Sequence, residues 1–114
     1  MADGEASIPS GPLIDYAAEI PRRRAALERR FRDVMREGDT AGFDAYRRTG
    51  GAALRRFALH QALSDRFGPY WNHWPAAYRD PSSPEVRRAE AALSDAAAFH
   101  AWLQWRAWRR SQVL

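Results

Sequence analysis

Apolar residues recur at three- and four-residue steps along most of the chain, and glycines and prolines cut that pattern into helix-sized pieces. The longest uncut piece, residues 84–112, predicts a single long C-terminal helix. Ser82-Ser83-Pro84-Glu85 marks its start. A serine oxygen accepts from free amides, proline suits the first turn, and glutamate suits the positive helix end. Alanines at 89, 91, 92, 96, 97, 98 and 101 favour the helix and leave room for a close neighbour. Val86, Ala89, Leu93 and Ala97 make one stripe; beyond it Phe99, Trp102, Leu103, Trp105 and Trp108 pass around most of the circumference. A helix that is apolar all round needs partners on every side. A chain of 114 residues is not expected to supply them all.

Earlier in the chain the same pattern predicts three more helices. Pro21 begins one that runs over residues 22–37 and stops at Gly38, with Ile20, Leu27, Phe31, Val34 and Met35 on one side. The arginines at 22–24 are expected to reach into water beside that face. Asp39 is the expected cap of a short helix over 40–48, anchored by Phe43 and Tyr46. Gly50-Gly51 breaks it, and a further helix covers 52–67 with Leu54, Phe57, Ala58 and Leu63 inward and Leu59 and Phe67 widening the stripe. Gly68-Pro69 ends that helix. Tyr70-Trp71-Asn72-His73-Trp74-Pro75 is an aromatic loop, Pro75 can start a single helical turn through Tyr78, and Arg79-Asp80-Pro81-Ser82 reads as a turn. No period-two alternation marks a strand. Residues 1–12 read as a flexible lead-in and 13–114 as one helical domain.

Composition narrows the function classes. Hydrophobic content of 46% and charge of 28% are globular values. There is no cysteine, which fits a reducing, cytoplasmic setting. The start, Met-Ala-Asp-Gly-Glu, is no secretory signal, and no apolar run has the length of a membrane span. The net charge is +4 and every basic residue is arginine. The pairs Arg24/Glu28, Arg29/Asp33 and Glu85/Arg88 fall at helix-neighbour spacing, so the charge reads as an ion-paired, solvated face rather than a nucleic-acid surface.

Candidate chemistry is sparse. His60, His73 and His100 share no metal-ligand spacing, and neither a nucleophile elbow nor a phosphate loop is present. Asp15, Asp44, Asp65, Asp80 and Asp95 are scattered, with no two placed as a glycosidase pair requires. No catalytic residue, metal or cofactor is therefore assigned. Aromatics are what remains: Trp71, Trp74 and Tyr78, beside Tyr70, can either stack on a sugar or base or pack the loop onto a helix. The interleaving of arginine and tryptophan over 105–110 resembles a nucleic-acid surface and equally a helix end made for a neighbour.

In order, several stretches resemble one family: Leu13-Ile14-Asp15-Tyr16; Pro21-Arg22-Arg23-Arg24-Ala25-Ala26-Leu27-Glu28; Phe43-Asp44-Ala45-Tyr46; Gly51-Ala52-Ala53-Leu54-Arg55-Arg56-Phe57-Ala58-Leu59; Ala62-Leu63-Ser64-Asp65-Arg66-Phe67-Gly68; Trp71-x-x-Trp74-Pro75; Arg79-Asp80-Pro81-Ser82-Ser83-Pro84; and Phe99-His100-Ala101-Trp102-Leu103-Gln104-Trp105. Over residues 13–105 the chain is similar to the helical segment of bacterial 4-α-glucanotransferases, the amylomaltases or disproportionating enzymes of glycoside hydrolase family 77. The resemblance implies a helical insertion packed beside a (β/α)-barrel. It also implies movement of α-1,4-glucan segments between acceptors through a covalent glycosyl-enzyme. The aspartate nucleophile and glutamate acid/base of that family lie after this segment and have no counterpart here. Residues 106–114 depart from the family pattern, so a truncated reading frame or an excised fragment is expected.

The combined expectation is an all-α fold of four to five helices. It would be a part of a 4-α-glucanotransferase, inactive alone, whose partners are the remaining barrel and, only within the whole enzyme, α-1,4-glucan. The alternative is a free-standing binding module, rich in arginine and tryptophan, for a protein or nucleic acid. The uncovered aromatic end of the last helix is expected to make the chain marginal or self-associating.

Overall fold

The computed structural model describes residues 21–112. The expected lead-in over 1–12, the apolar step at 13–16 and Ile20 lie outside the described residues. Five α-helices follow in order: α1 (Pro21–Glu37), α2 (Ala41–Phe67), α3 (Ala76–Arg79), α4 (Pro84–Ala92) and α5 (Ser94–Ser111), with a 3-10 turn at Trp71–His73. No strand occurs among the described residues, and none of their helices is long and apolar enough to cross a membrane.

Local chemistry sets most of the boundaries. Pro21 opens α1, and Gly38 closes it at φ 84° with its amide bonded to the Val34 carbonyl at 3.1 Å. The α2 cap differs from expectation. Thr40, not Asp39, is the capping residue; its amide turns back to the Gly38 carbonyl at 3.0 Å, and its hydroxyl donates to Asp44 Oδ2 at 3.0 Å rather than accepting an amide. The two helices expected on either side of Gly50-Gly51 are present as the two halves of α2, separated by a sharp kink where Gly51 leaves helical geometry at φ 56°, ψ −142°. Ser83 caps α4 as expected, accepting from the Val86 amide at 3.1 Å with Pro84 in the first turn.

The single helix expected over 84–112 is two. Leu93 leaves helical geometry at φ −106°, ψ 21°, although its amide still bonds Ala89 and its carbonyl still accepts from Ala97, both at 2.8 Å. The bend has a packing reason. Ala89 and Leu93 follow a small cluster around Leu63 and Trp74, whereas α5 follows the main cluster of Phe31, Phe43, Leu54 and Ala58. One straight rod does not follow both.

The core is centred on α5. All six residues from Phe99 to Gln104 are buried, so this helix is enclosed around its whole girth there. The Phe31 ring lies 5.7 Å from Phe99 and 5.4 Å from Trp102, and Phe43, fully buried, lies 5.8 Å from Trp105. The expectation that this chain cannot cover its aromatic helix is thus overturned at Phe99, Trp102 and Leu103. It holds one turn further on, where Trp108 is 48% exposed against Tyr46.

Gly51 fixes how the two halves of α2 meet this core. Its backbone conformation is one that only glycine adopts without strain, and an added methyl would meet no atom within 4 Å. The expected cost of Gly51→Ala is therefore backbone strain alone, about 1–3 kcal/mol. Urea unfolding should show the midpoint falling with an unchanged slope; an unchanged midpoint would contradict the kink.

Candidate functional site

The chain reverses where Gly68-Pro69 ends α2, and this reversal builds a cleft. The indole of Trp74 folds back so that Nε1 donates to the Gly68 carbonyl at 2.8 Å. Its ring lies 4.8 Å from His60 and 6.4 Å from Phe67, and Tyr78 lies 4.8 Å from Phe67. Asp80 shapes the next turn. It accepts from the Ser82 amide at 3.0 Å and the Ser82 hydroxyl at 2.8 Å, bonds that hold its carboxyl below the usual range. Ser83 then donates to the Ala77 carbonyl at 2.5 Å while capping α4, which ties α3 to α4.

The result is a cleft of about 360 Å³ between one face of α2, the 3-10 turn, α3 and α4. Trp71, Trp74 and Tyr78, singled out in the sequence, all line it. Their roles differ. Trp74 is 3% exposed and its ring nitrogen is used, so it is floor rather than platform. Trp71 is 48% exposed and Tyr78 half-buried, so their rings are within reach of a ligand. Arg55, Arg56, Arg79 and Glu90 supply polar groups to the same cleft and were not picked out in the sequence. The helical spacing of 52, 56, 59, 60 and 63 was visible there; that this face of α2 lies opposite Trp71 was not.

A second constellation joins three helices. Asp65 of α2 accepts two hydrogen bonds from the Arg24 guanidinium of α1, at 2.8 and 2.6 Å, and one from His100 Nε2 of α5 at 2.8 Å. His100 is 2% exposed. Arg24 also reaches Glu28 at 3.2 Å, the expected helix pair, but it turns inward instead of into water. Burial pulls the Asp65 carboxyl upward; the bonds from Arg24 and His100 outweigh it and hold the group well below the usual carboxylate range. The Asp65 hydrogen bonds raise Arg24 above its ordinary value against its partial burial. A carboxylate held ionised in this way has no proton to donate near neutral pH. The arrangement fastens helices rather than performing acid–base chemistry. Elsewhere Glu85 pairs with Arg88 at 3.6 Å as expected, while Asp33 pairs with Arg36 in place of Arg29.

Arginines gather between α1 and the end of α5. Burial first, and then Arg110, Arg30, Arg23 and Arg109, push the Arg106 guanidinium below its ordinary value. Arg106 lies over the Trp102 ring at 4.9 Å and Arg109 over Trp105 at 4.7 Å. The interleaving of these residue types in the sequence is therefore used, at these positions, for contacts within the chain. No group of three or more histidine, cysteine or acidic side chains among the described residues could hold a metal ion.

The family model for 4-alpha-glucanotransferase matches residues 2–114. The chain belongs to that family. The 4-alpha-glucanotransferases of Mycobacterium tuberculosis and Mycobacterium bovis are each 35% identical to it over 92 residues, 81% of this chain and 13% of theirs. That of Thermus thermophilus is 33% identical over 91 residues, 79% of this chain and 18% of its own. The chain thus spans under a fifth of the length of these glucanotransferases. No solved structure matches it.

The Asp65 clamp carries a pH signature. A depressed carboxyl contributes stability that is complete above its unfolded value, about 4, and is lost as pH falls through the lower folded value. Asp65→Ala is expected to cost about 1–3 kcal/mol at pH 7, because His100 loses its acceptor. That deficit should shrink steadily in chemical unfolding series taken below about pH 4. A deficit independent of pH would contradict the clamp.

Proposed function

We propose that residues 13–114 form one helical unit of a 4-α-glucanotransferase, packed beside a barrel supplied by the rest of that enzyme. On this reading the barrel carries the aspartate nucleophile and the glutamate acid/base, and the enzyme transfers α-1,4-glucan segments between malto-oligosaccharides. The chain by itself performs no transfer. The observation that carries the reading is the family match over residues 2–114 to proteins of which this chain equals only 13–18%. Two features support it. Asp65, the carboxylate drawn furthest into a network, is locked to Arg24 and His100. Trp108 and the arginines around Arg106 present a helix end suited to a neighbour. The cysteine-free composition fits a cytoplasmic enzyme.

The arginine cluster also favours a second reading, a free-standing module that binds nucleic acid through Arg23, Arg30, Arg106, Arg109 and Arg110. The readings separate in solution. The purified chain is expected to give no products from maltotriose in a disproportionation assay, and turnover would refute inactivity. For duplex DNA, five phosphate contacts would give a log–log salt slope of about −4.5. The first reading expects no such binding at low salt.

A further inference from the structure

Resting on the glucanotransferase reading, we infer that the cleft between α2, the Trp71–His73 turn and α4 is a binding site for α-1,4-glucan. A glucose ring has flat C–H faces and a girdle of hydroxyls. Its faces match exposed aromatic rings, and its hydroxyls need donors and acceptors together. The cleft has both. Trp71 offers an indole that is 48% exposed, and Tyr78 offers a half-buried phenol ring. Leu59, Leu63 and Trp74 make the floor, with Trp74 fixed by its bond to the Gly68 carbonyl.

The polar rim fits a polyol. Arg55, Arg56 and Arg79 donate, and Glu90 accepts. None of the four takes part in an ion pair or side-chain hydrogen bond among the described residues, so their groups are available to hydroxyls. The rim carries three guanidiniums against one carboxylate, so an anion is the rival ligand that the test separates from a sugar. A volume of about 360 Å³ lies at the small end of ligand sites, suited to a short stretch of sugar rather than a large cofactor. The site needs none of the barrel's chemistry, so it is open to test in the chain as it stands.

The test is titration of the 114-residue chain with maltoheptaose, read by calorimetry and by tryptophan emission, with adenosine monophosphate as the anionic comparison. Saturable binding of maltoheptaose is expected. Trp71→Ala should weaken it about tenfold, and Trp71→Phe, which keeps a ring, should weaken it less. Trp108→Ala is the control, since Trp108 is equally exposed but outside the cleft, and should leave binding unchanged. The absence of saturable binding, an equal effect of Trp108→Ala, equal losses in Trp71→Ala and Trp71→Phe, or tighter binding of the monophosphate would each overturn the site. Any of these leaves the family assignment and the maltotriose expectation standing, because neither depends on this cleft.

Discussion

The Arg24–Asp65–His100 network is the constraint on which the arrangement of helices depends. One carboxylate receives a paired guanidinium from α1 and an imidazole from α5, so it fixes three helices at one point. Because His100 is almost wholly buried, its ring nitrogen must find a partner inside the protein. Asp65 supplies that partner at 2.8 Å. The neighbouring Phe99 ring carries Arg24 at 5.8 Å and meets Phe31, so the polar clamp and the aromatic core share side chains. A shift of α1 or α5 along α2 would break both together.

Around that point the fold divides into two apolar clusters. The larger joins α1, both halves of α2 and α5 through Phe31, Phe43, Leu54 and Trp102. The smaller joins the end of α2 to the aromatic turn and α4 through Leu63, Trp74 and Ala89. Two devices let a single chain serve both: the kink at Gly51 and the break at Leu93. The cleft lies over the smaller cluster, where short segments leave side chains only partly covered. The buried Leu63 and Trp74 thereby supply a floor, and the more exposed rings of Trp71 and Tyr78 stand beside it.

The uncovered features lie at one end. Trp108 remains half exposed, and Arg106 sits among like charges beyond the enclosed part of α5. Within the enclosed part of α5, by contrast, the Trp102 ring nitrogen is buried with no hydrogen-bond partner among the described residues, an uncommon cost in a packed core. Trp108 and Arg106 thus mark where α5 leaves the cover of the described residues.

Much of this was legible along the chain. Helix starts and stops at Pro21, Gly38, Gly51, Gly68 and Ser83-Pro84 follow from backbone chemistry that acts over a few residues, so the sequence was enough for them. The inward positions of Phe31, Phe43, Leu54 and Leu63 followed from helical periodicity, and the family resemblance followed from ordered motifs. The sequence did not determine the break at Leu93, the enclosure of Trp102, the inward turn of Arg24 or the meeting of Asp65 with His100. Those partners are 35 and 41 positions apart. No local preference encodes such contacts; they exist because packing three helices against one buried core brings together polar side chains that are far apart along the chain.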